Sequence, residues 1–445
     1  MSSADTIAAI ATPPGRGGVG IVRVSGQNVV LIAQQIIKNL PQPRIAALRS
    51  FYDIKGNIID KGLALYFSAP NSFTGEDLLE LHAHGGPVLM DMLLSTVLTH
   101  GARLAKPGEF SERAFLNGKM DLAQCEAVAD LIDASTKQAA LSASRSLQGV
   151  FSEQIEKLAN EMMALRLYVE AAIDFPEEEI DFLSEGNVLE KIEAILSQII
   201  TLQKSAKVGQ VLREGMNVVF AGLPNAGKSS LLNQLTRKES AIVTPIPGTT
   251  RDLVKETIQI DGIPINLIDT AGIRLEAELI EQEGIKRAKE QFALADKILL
   301  VKDTSQGEEL ATEEIEIMKL HGNKVTLVMN KVDMINNAPE NLDNKIYLSA
   351  KTGQGIDALL FMLKASQGMQ TIDNGAFIAR RRHLDALQKA HIHCDEAHRQ
   401  LVKIKAGELV AQELRYAQEA LGEIVGKITP DDLLGKIFAS FCIGK

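Results

Sequence analysis

A chain of 445 residues has room for about three domains at roughly 150 residues each. Its 45% hydrophobic and 23% charged residues are ordinary globular composition and exclude a disordered chain. A net charge of −10 excludes general electrostatic attachment to nucleic acid, so any RNA contact needs a local basic patch or a second protein.

In chain order, residues 1–118 alternate strand-like runs with turns. Thr6 to Ala11, Gly20 to Val24, Leu63 to Phe67 and Leu78 to Ala83 are short, β-rich and bounded by Gly, Pro or Asn. Helical stretches near Val29 to Ile37 and Val88 to Leu98 lie between them, which predicts an α+β domain. From about residue 120 the period changes. Leu147, Phe151, Ile155, Leu158, Met162, Leu165 and Val169 are spaced as one face of a long helix. Phe175-Pro176 breaks it, and Ile192, Ile195, Ile199 and Leu202 resume the pattern. Residues 214–366 alternate β and α elements, and a polar linker follows. Leu384, Leu387, Cys394, Ala397, Leu401 and Ile404 then share a helical face, and Thr429-Pro430-Asp431-Asp432 caps the last helix. The organisation expected is an N-terminal domain (1–118), a discontinuous helical domain (119–213 and 367–445) and an α/β domain (214–366) inserted into it.

The three cysteines (Cys125, Cys394, Cys442) lie far apart and make no disulfide framework, as suits a reducing compartment. No stretch approaches the roughly 18 apolar residues of a membrane span, and Met1 to Asp5 does not open a secretory signal. The expectation is a cytoplasmic protein without a membrane anchor. Cys442-Ile443-Gly444-Lys445 is no prenylation box, because Gly444 is not aliphatic and Lys445 is not a usual last residue.

The strand Met216 to Ala221 runs directly into Gly222-Leu223-Pro224-Asn225-Ala226-Gly227-Lys228-Ser229, followed by a helical stretch, Ser230 to Leu235. This is the phosphate-binding loop in its strand–loop–helix setting. Its glycines let backbone N–H groups turn toward phosphate oxygens, Lys228 reaches the β and γ phosphates, and Ser229 ligates Mg²⁺. Four more pieces follow in the order a GTPase needs. Gly248-Thr249-Thr250-Arg251 is a first switch loop, with Thr250 for Mg²⁺. Asp269-Thr270-Ala271-Gly272 ends an apolar strand, and the Gly272 N–H is placed to sense the γ phosphate. Asn330-Lys331-Val332-Asp333 ends the strand Val325 to Met329, and the Asp333 carboxylate accepts from N1–H and the exocyclic amine of guanine. Ser349-Ala350-Lys351 completes the base pocket. Asp261-Gly262 supplies a two-residue hairpin between the intervening strands. Five boxes in register select GTP.

The position after the Asp-x-x-Gly box, where related small GTPases carry a water-orienting glutamine, is Ile273, which cannot hydrogen-bond. Something else must orient water and offset transition-state charge, the task for which an arginine finger is worth about 10³–10⁵ in rate. Asn225, Glu281 and Arg251 are the candidates. As alternatives, Asn225 is a loop-capping side chain, and Glu281 is one of several solvated acids with Glu276, Glu278 and Glu283.

These boxes, together with Thr12 to Gly20 (TPPGRGGVG), Asn71 to Glu76 (NSFTGE), His84 to Pro87 (HGGP), Pro107 to Arg113 (PGEFSER) and the Cys442 to Lys445 tail, resemble the tRNA-modifying GTPase family called MnmE or TrmE from the first strand to the last residue. The resemblance implies a folate-binding-like α+β domain, a helical domain and a Ras-like P-loop GTPase domain. It implies G domains that dimerise when K⁺ and GTP bind, with K⁺ in place of an arginine finger on Asn225, Thr244, Ile246 and Thr249, and Mg²⁺ on Ser229 and Thr250. It implies a nucleotide site drawn also from Ser230, Pro245 and Pro247, and makes Glu281 the water-orienting acid. In the first domain it implies a constitutive homodimer and a 5-formyl- or methylene-tetrahydrofolate held by Arg23, Glu80, Lys119 and Lys445. Read from alternation alone, Arg23 and Glu80 lie opposite the apolar face as a solvated cross-strand pair.

Cys442 reads either as a buried small apolar residue or, by the resemblance, as a group beside the folate pocket with a part in modification; a thiolate needs a basic neighbour. Arg380-Arg381-Arg382-His383 reads as a solvated face before it reads as a tRNA contact. His391, His393, Cys394 and His398 lack the second ligand pair of a structural zinc site. The family further implies a flavoprotein partner, MnmG or GidA, in a heterotetramer, which with folate installs an aminomethyl-type group at carbon five of the tRNA wobble uridine. A GTP-dependent assembly switch, ribosome-associated for example, is the alternative. A folate-dependent transferase without GTPase work fails on the five nucleotide boxes.

Overall fold

The computed structural model describes residues 5–174, 187–238, 255–269, 291–335, 340–342, 344–366, 375–404, 406–427 and 431–444. The chain separates into two compact units. One comprises Met1–Ala129, Leu147–Ile192 and Ile392–Lys445, the other Asp130–Ser146 and Glu193–His391.

The first unit opens with β1 (Thr6–Ile10), β2 (Gly17–Ser25), α1 (Val29–Ile37), β3 (Ala47–Tyr52), β4 (Ile58–Phe67), β5 (Leu78–Gly85), α2 (Pro87–Thr99), β6 (Ala102–Leu104) and α3 (Glu109–Leu116). The six strands make one sheet in the order β3-β4-β5-β2-β1-β6, antiparallel except for β1 with β6. Alternation sends Val22, Val24, Leu79 and Leu81 to one face, where they pack with Val29, Ile32 and Ile36 of α1 and Leu93 and Val97 of α2. Ile7, Ala9 and Ala105 meet Phe110 of α3 in a separate, smaller cluster. Strands β3 and β6 and helix α3 had escaped the periodicity. Strand β6 is three residues long, and α3 carries charge on a helix with little net apolar character.

Helices follow: α4 (Leu122–Ile132), α5 (Lys137–Leu147), α6 (Val150–Asp174) and α7 (Val188–Glu214). Phe151, Ile155, Leu158, Met162, Leu165 and Val169 are buried along α6 as their spacing predicts. Leu147 is not part of that face: it ends α5, and Gly149, at φ 93°, separates the two helices.

The second unit is built on β7 (Met216–Ala221), α8 (Lys228–Lys238), β8 (Lys255–Ile260), β9 (Ile263–Asp269), β10 (Lys297–Asp303), α9 (Thr312–His321), β11 (Val325–Asn330), β12 (Lys345–Tyr347) and α10 (Ile356–Ala365). The sheet runs β12-β11-β10-β7-β9-β8, parallel but for the β8–β9 hairpin. Asp261 (φ 48°) and Gly262 (φ 86°) both take positive φ in its turn, the type I′ geometry that matches strand twist. Strands buried on both faces read as continuous apolar runs, and the parallel order puts their carboxyl ends, where α/β folds bind ligands, at one edge.

The chain ends with α11 (Arg381–Lys403), α12 (Gly407–Val425) and α13 (Asp431–Ala439). Leu387, Cys394, Ala397 and Leu401 are buried on α11, but Ile404 lies beyond its end and is 62% exposed. The reading of Arg380 to His383 as a solvated face is corrected at two positions. Arg380 donates through Nη2 to Oδ1 of the buried Asp130 at 2.7 Å, and His383 is buried, its Nδ1 accepting from the Arg380 N–H at 3.0 Å. Arg213, at the end of α7, donates to the same Asp130 oxygen at 2.7 Å. One carboxylate thereby ties the residues just before β7 to those just before α11. Among the described residues no helix is long and apolar enough to cross a membrane.

Candidate functional site

The phosphate loop joins β7 to α8 as its sequence requires. A Cβ on Gly222 would meet the Val301 carbonyl at 2.1 Å, and one on Gly227 would meet Asn330 Nδ2 at 2.2 Å, at φ of 126° and 97°. Only glycine fits either place. Asn225 is left-handed (φ 62°) and its side chain is exposed at the loop. Lys228, 8% exposed, bends back over the loop and donates to the carbonyls of Gly222 (2.8 Å) and Leu223 (2.9 Å). Its charge is thus stored over the concavity where the positive end of α8 already favours an anion. Ala226 is buried, while Ser229 and Ser230 are exposed in the first turn of α8.

The residues predicted for base recognition are wired to that loop. The buried Asn330 donates through Nδ2 to the Ala226 carbonyl at 2.9 Å and accepts at Oδ1 from the Ala350 N–H at 2.9 Å. One side chain therefore sets the spacing between phosphate loop and base loop, and its loss would orphan two buried backbone groups at about 1–3 kcal/mol each. Ser349 donates to Asp333 Oδ1 at 2.6 Å, which orients the exposed carboxylate. Lys351 is exposed. Two residues that pattern reading passed over also belong here. Thr304 donates to the Asn330 carbonyl at 2.6 Å, and Asp303 receives Lys331 Nζ at 2.6 Å. Burial opposes ionisation of Asp303, but hydrogen bonds from Lys331 and Ser305 outweigh it and hold the carboxyl below its ordinary range. The available signal was position: Asp303 ends an apolar parallel strand, as Asp269 and Asn330 do.

Asp269 pairs with Phe220 in the backbone register of β9 and β7. Thr244, Pro245, Ile246, Pro247, Gly248, Thr249, Thr250, Arg251, Thr270, Ala271, Gly272, Glu281 and Lys445 lie outside the described residues, as do Phe175-Pro176, Thr429-Pro430 and most of the polar linker.

A second constellation sits on the N-terminal sheet. Arg23 and Glu80 are register partners and form an ion pair at 2.9 Å. They do lie opposite the apolar face, but they are not a solvated pair: both are mostly buried, and the guanidinium stands 5.5 Å from the Phe73 ring centre and 5.7 Å from that of Phe110. Arg23 also donates to the Gly444 carbonyl at 3.3 Å, so the tail reaches this pair, and His82 Nε2 lies 3.2 Å from Glu80. The loop bearing Phe73 is held by charge. Buried Arg113 donates to Glu76 at 2.9 Å and Glu109 at 3.1 Å, and Ser25 donates to Glu76 at 2.9 Å. Lys119 donates to the Pro70 carbonyl at 3.0 Å in the same loop. Cys442 is exposed, which corrects its reading as a buried apolar residue, whereas Cys125 and Cys394 are buried and burial pushes the Cys394 thiol up to about 12.

The profile of the N-terminus of the GTP-binding protein TrmE matches residues 6–119, and that of the MnmE helical domain matches residues 122–442. The chain is 54% identical over 448 residues to the tRNA modification GTPase MnmE of Coxiella burnetii (strain Dugway), with 99% of each chain covered. It is 54% identical over 450 residues to that of Hydrogenovibrio crunogenus and 52% identical over 454 residues to that of Proteus mirabilis, with 100% of each chain covered. A phosphate loop of this geometry, carried on a chain that shares more than half its residues with these proteins, belongs to a GTP hydrolase. The chain belongs to the MnmE (TrmE) family of tRNA modification GTPases.

Proposed function

We propose that this GTPase runs a potassium-stimulated cycle, activated by dimerisation of its G domains, that serves folate-dependent modification of the tRNA wobble uridine. The observation that carries the nucleotide half is the Asn330 bridge between Ala226 and Ala350, which ties the phosphate loop to the base loop through one buried side chain. Hydrolysis without a glutamine after Gly272 is supported by Asn225, whose exposed carboxamide stands at the loop with an oxygen to offer a monovalent cation. Thr244, Ile246 and Thr249 are the other ligands proposed for K⁺, and Ser229 and Thr250 those for Mg²⁺. Ser229 fits that role from the first helical turn beside Lys228, and bound cations neutralise charge on the phosphates. Glu281 is proposed to orient the water and Arg251 to assist.

Arg23, Glu80, Lys119 and Lys445 are the proposed folate contacts. The fit rests on chemistry present in this chain. A partly buried carboxylate can accept the paired donors of a pterin, its guanidinium partner can meet ligand carboxylates, and two aromatic rings stand against that guanidinium. Bound folate supplies the one-carbon unit, and the exposed Cys442 stands two residues from the Arg23 contact at Gly444. The division 1–118, 119–213 with 367–445, and 214–366, a cytoplasmic homodimer, tRNA as substrate and a flavoprotein of the MnmG type in a heterotetramer belong to the same proposal.

Potassium supplies the test of the catalytic half. GTP turnover in K⁺ should exceed that in Na⁺ at equal ionic strength by at least about tenfold, toward the range of an arginine finger. Equal rates in the two salts remove the cation from the mechanism. For the other half, calorimetry with 5-formyltetrahydrofolate should give saturable binding that Arg23→Ala abolishes. A protein that hydrolyses GTP but binds no tetrahydrofolate would instead be the assembly switch.

A further inference from the structure

The segment following β10 grips the guanine motif at two adjacent residues. Asp303 caps a single 3₁₀ turn, Thr304–Gln306, and its Oδ1 accepts from the Ser305 N–H at 3.0 Å and the Ser305 hydroxyl at 2.6 Å. Capping thus uses one carboxylate oxygen. The other, Oδ2, takes Lys331 Nζ at 2.6 Å, while Thr304 holds the Asn330 carbonyl at 2.6 Å. Lys331 itself is a non-glycine residue at φ 67°, a conformation that persists only when its surroundings enforce it. Its neighbours supply that constraint from both sides, through Asn330 and through the ammonium.

We infer that Asp303 is a positioning residue for guanine nucleotides, acting through Lys331: it stretches the lysine between a fixed backbone and a fixed carboxylate, so that the four-carbon stem forms a preordered apolar rail for the purine ring. Lysine is among the side chains that lose most rotamer freedom when ordered. A lysine ordered during folding does not charge that cost to ligand binding, which is how preorganisation raises affinity. The Asp303 side chain is 8% exposed and the Lys331 side chain 31%, so the anchored end is sheltered from water while part of the stem stays accessible. The carboxyl, held below its ordinary range, keeps its charge throughout the neutral region. A purely structural cap would need Oδ1 alone.

That division of labour between the two oxygens gives the experiment. Asp303→Asn retains an oxygen for Ser305 and replaces the lysine acceptor by an amide donor. Kd for a fluorescent GDP analogue and steady-state GTP kinetics are measured on the full chain for the wild type, Asp303→Asn, Lys331→Met and the double variant. Each single variant should raise Kd and KM about tenfold, about 1.4 kcal/mol, with kcat at saturating GTP within about twofold of the wild type. The double variant should be no worse than either single one. Losses that multiply in the double variant, a fall in kcat at unchanged KM, or wild-type affinity in Asp303→Asn would overturn the assignment. If Asp303→Asn does not fold, Asp303→Ser, which also keeps a capping oxygen, is read by the same criteria.

Discussion

The nucleotide loops and the Arg23–Glu80 pair are sites of opposite construction. The first is made of short contiguous motifs at the ends of parallel strands, whose chemistry is largely backbone N–H, a helix N-terminus and glycines at places where a Cβ has no room. The second is made of side chains brought together by strand register, 57 residues apart for Arg23 and Glu80 and 421 apart for Arg23 and Gly444. A contiguous motif carries its geometry with it. A register pair carries none until the sheet has formed, and its environment is decided by what covers that face. Changes to the ligand-facing side chains of the first should therefore alter chemistry and spare the fold, whereas ion pairs of long sequence separation should bear on both.

The largest effect expected is at Lys228. Lys228→Ala removes the cation held over the phosphate loop and should lower kcat by about 10²–10³, the loss typical for a preorganised electrostatic contact, while circular dichroism shows an unchanged melting midpoint. A variant that melts early would mean that the bonds to Gly222 and Leu223 matter for folding and that the two sites do not differ in this respect.

Next in size is Asp130, a long-range carboxylate between Arg213 and Arg380, 83 and 250 residues away. Asp130→Ala leaves two guanidinium groups without their shared acceptor and should cost about 3 kcal/mol, read by urea unfolding. Nucleotide affinity of the folded fraction should be unchanged. Wild-type stability in this variant would show that the pair sits in a more watery setting than its burial implies.

The smallest effect separates two acids on α3. For Glu109, burial opposes ionisation, but bonds from Arg103, Lys106 and Arg113 hold the carboxyl below 4.5. Its contribution is therefore complete above pH 4.5 and is lost as pH falls through its lower folded value. Burial, seconded by the charge of Glu109, raises Glu112 above 4.5, so its contribution is present below pH 4.5 and lost as pH rises through the folded value. At neutral pH, urea unfolding should find Glu109→Gln destabilised and Glu112→Gln stabilised. The same sign for both would mean that the Arg103 and Arg113 network does not discriminate between them.

Much of the fold was legible in the sequence, and for an identifiable reason. Met216–Ala221 and Val29–Ile37 are legible end to end because both are mostly apolar and stop at Gly222 and Lys38. The α6 face was placed by its spacing alone. Leu147 was misassigned because an apolar residue at the right interval cannot reveal that Gly149 has already interrupted the helix. Arg380 and His383 read as a surface because a run of charge looks solvated until its partners are known, here Asp130 for the Arg380 guanidinium and the Arg380 N–H for His383. Asp303 was passed over because a lone aspartate after an apolar strand has no motif around it.

The sequence by itself determined the nucleotide, through a phosphate loop and base motifs that are each short, contiguous and legible alone. The tertiary structure alone decided that Asn330 bridges those loops, that Asp303 anchors Lys331, that Phe73 and Phe110 shelter Arg23, and that Asp130 joins the two flanks of the α/β unit. Periodicity and turn chemistry report interactions over a few residues, but a buried charge is stable only beside a partner, and which partner it meets depends on how distant segments pack.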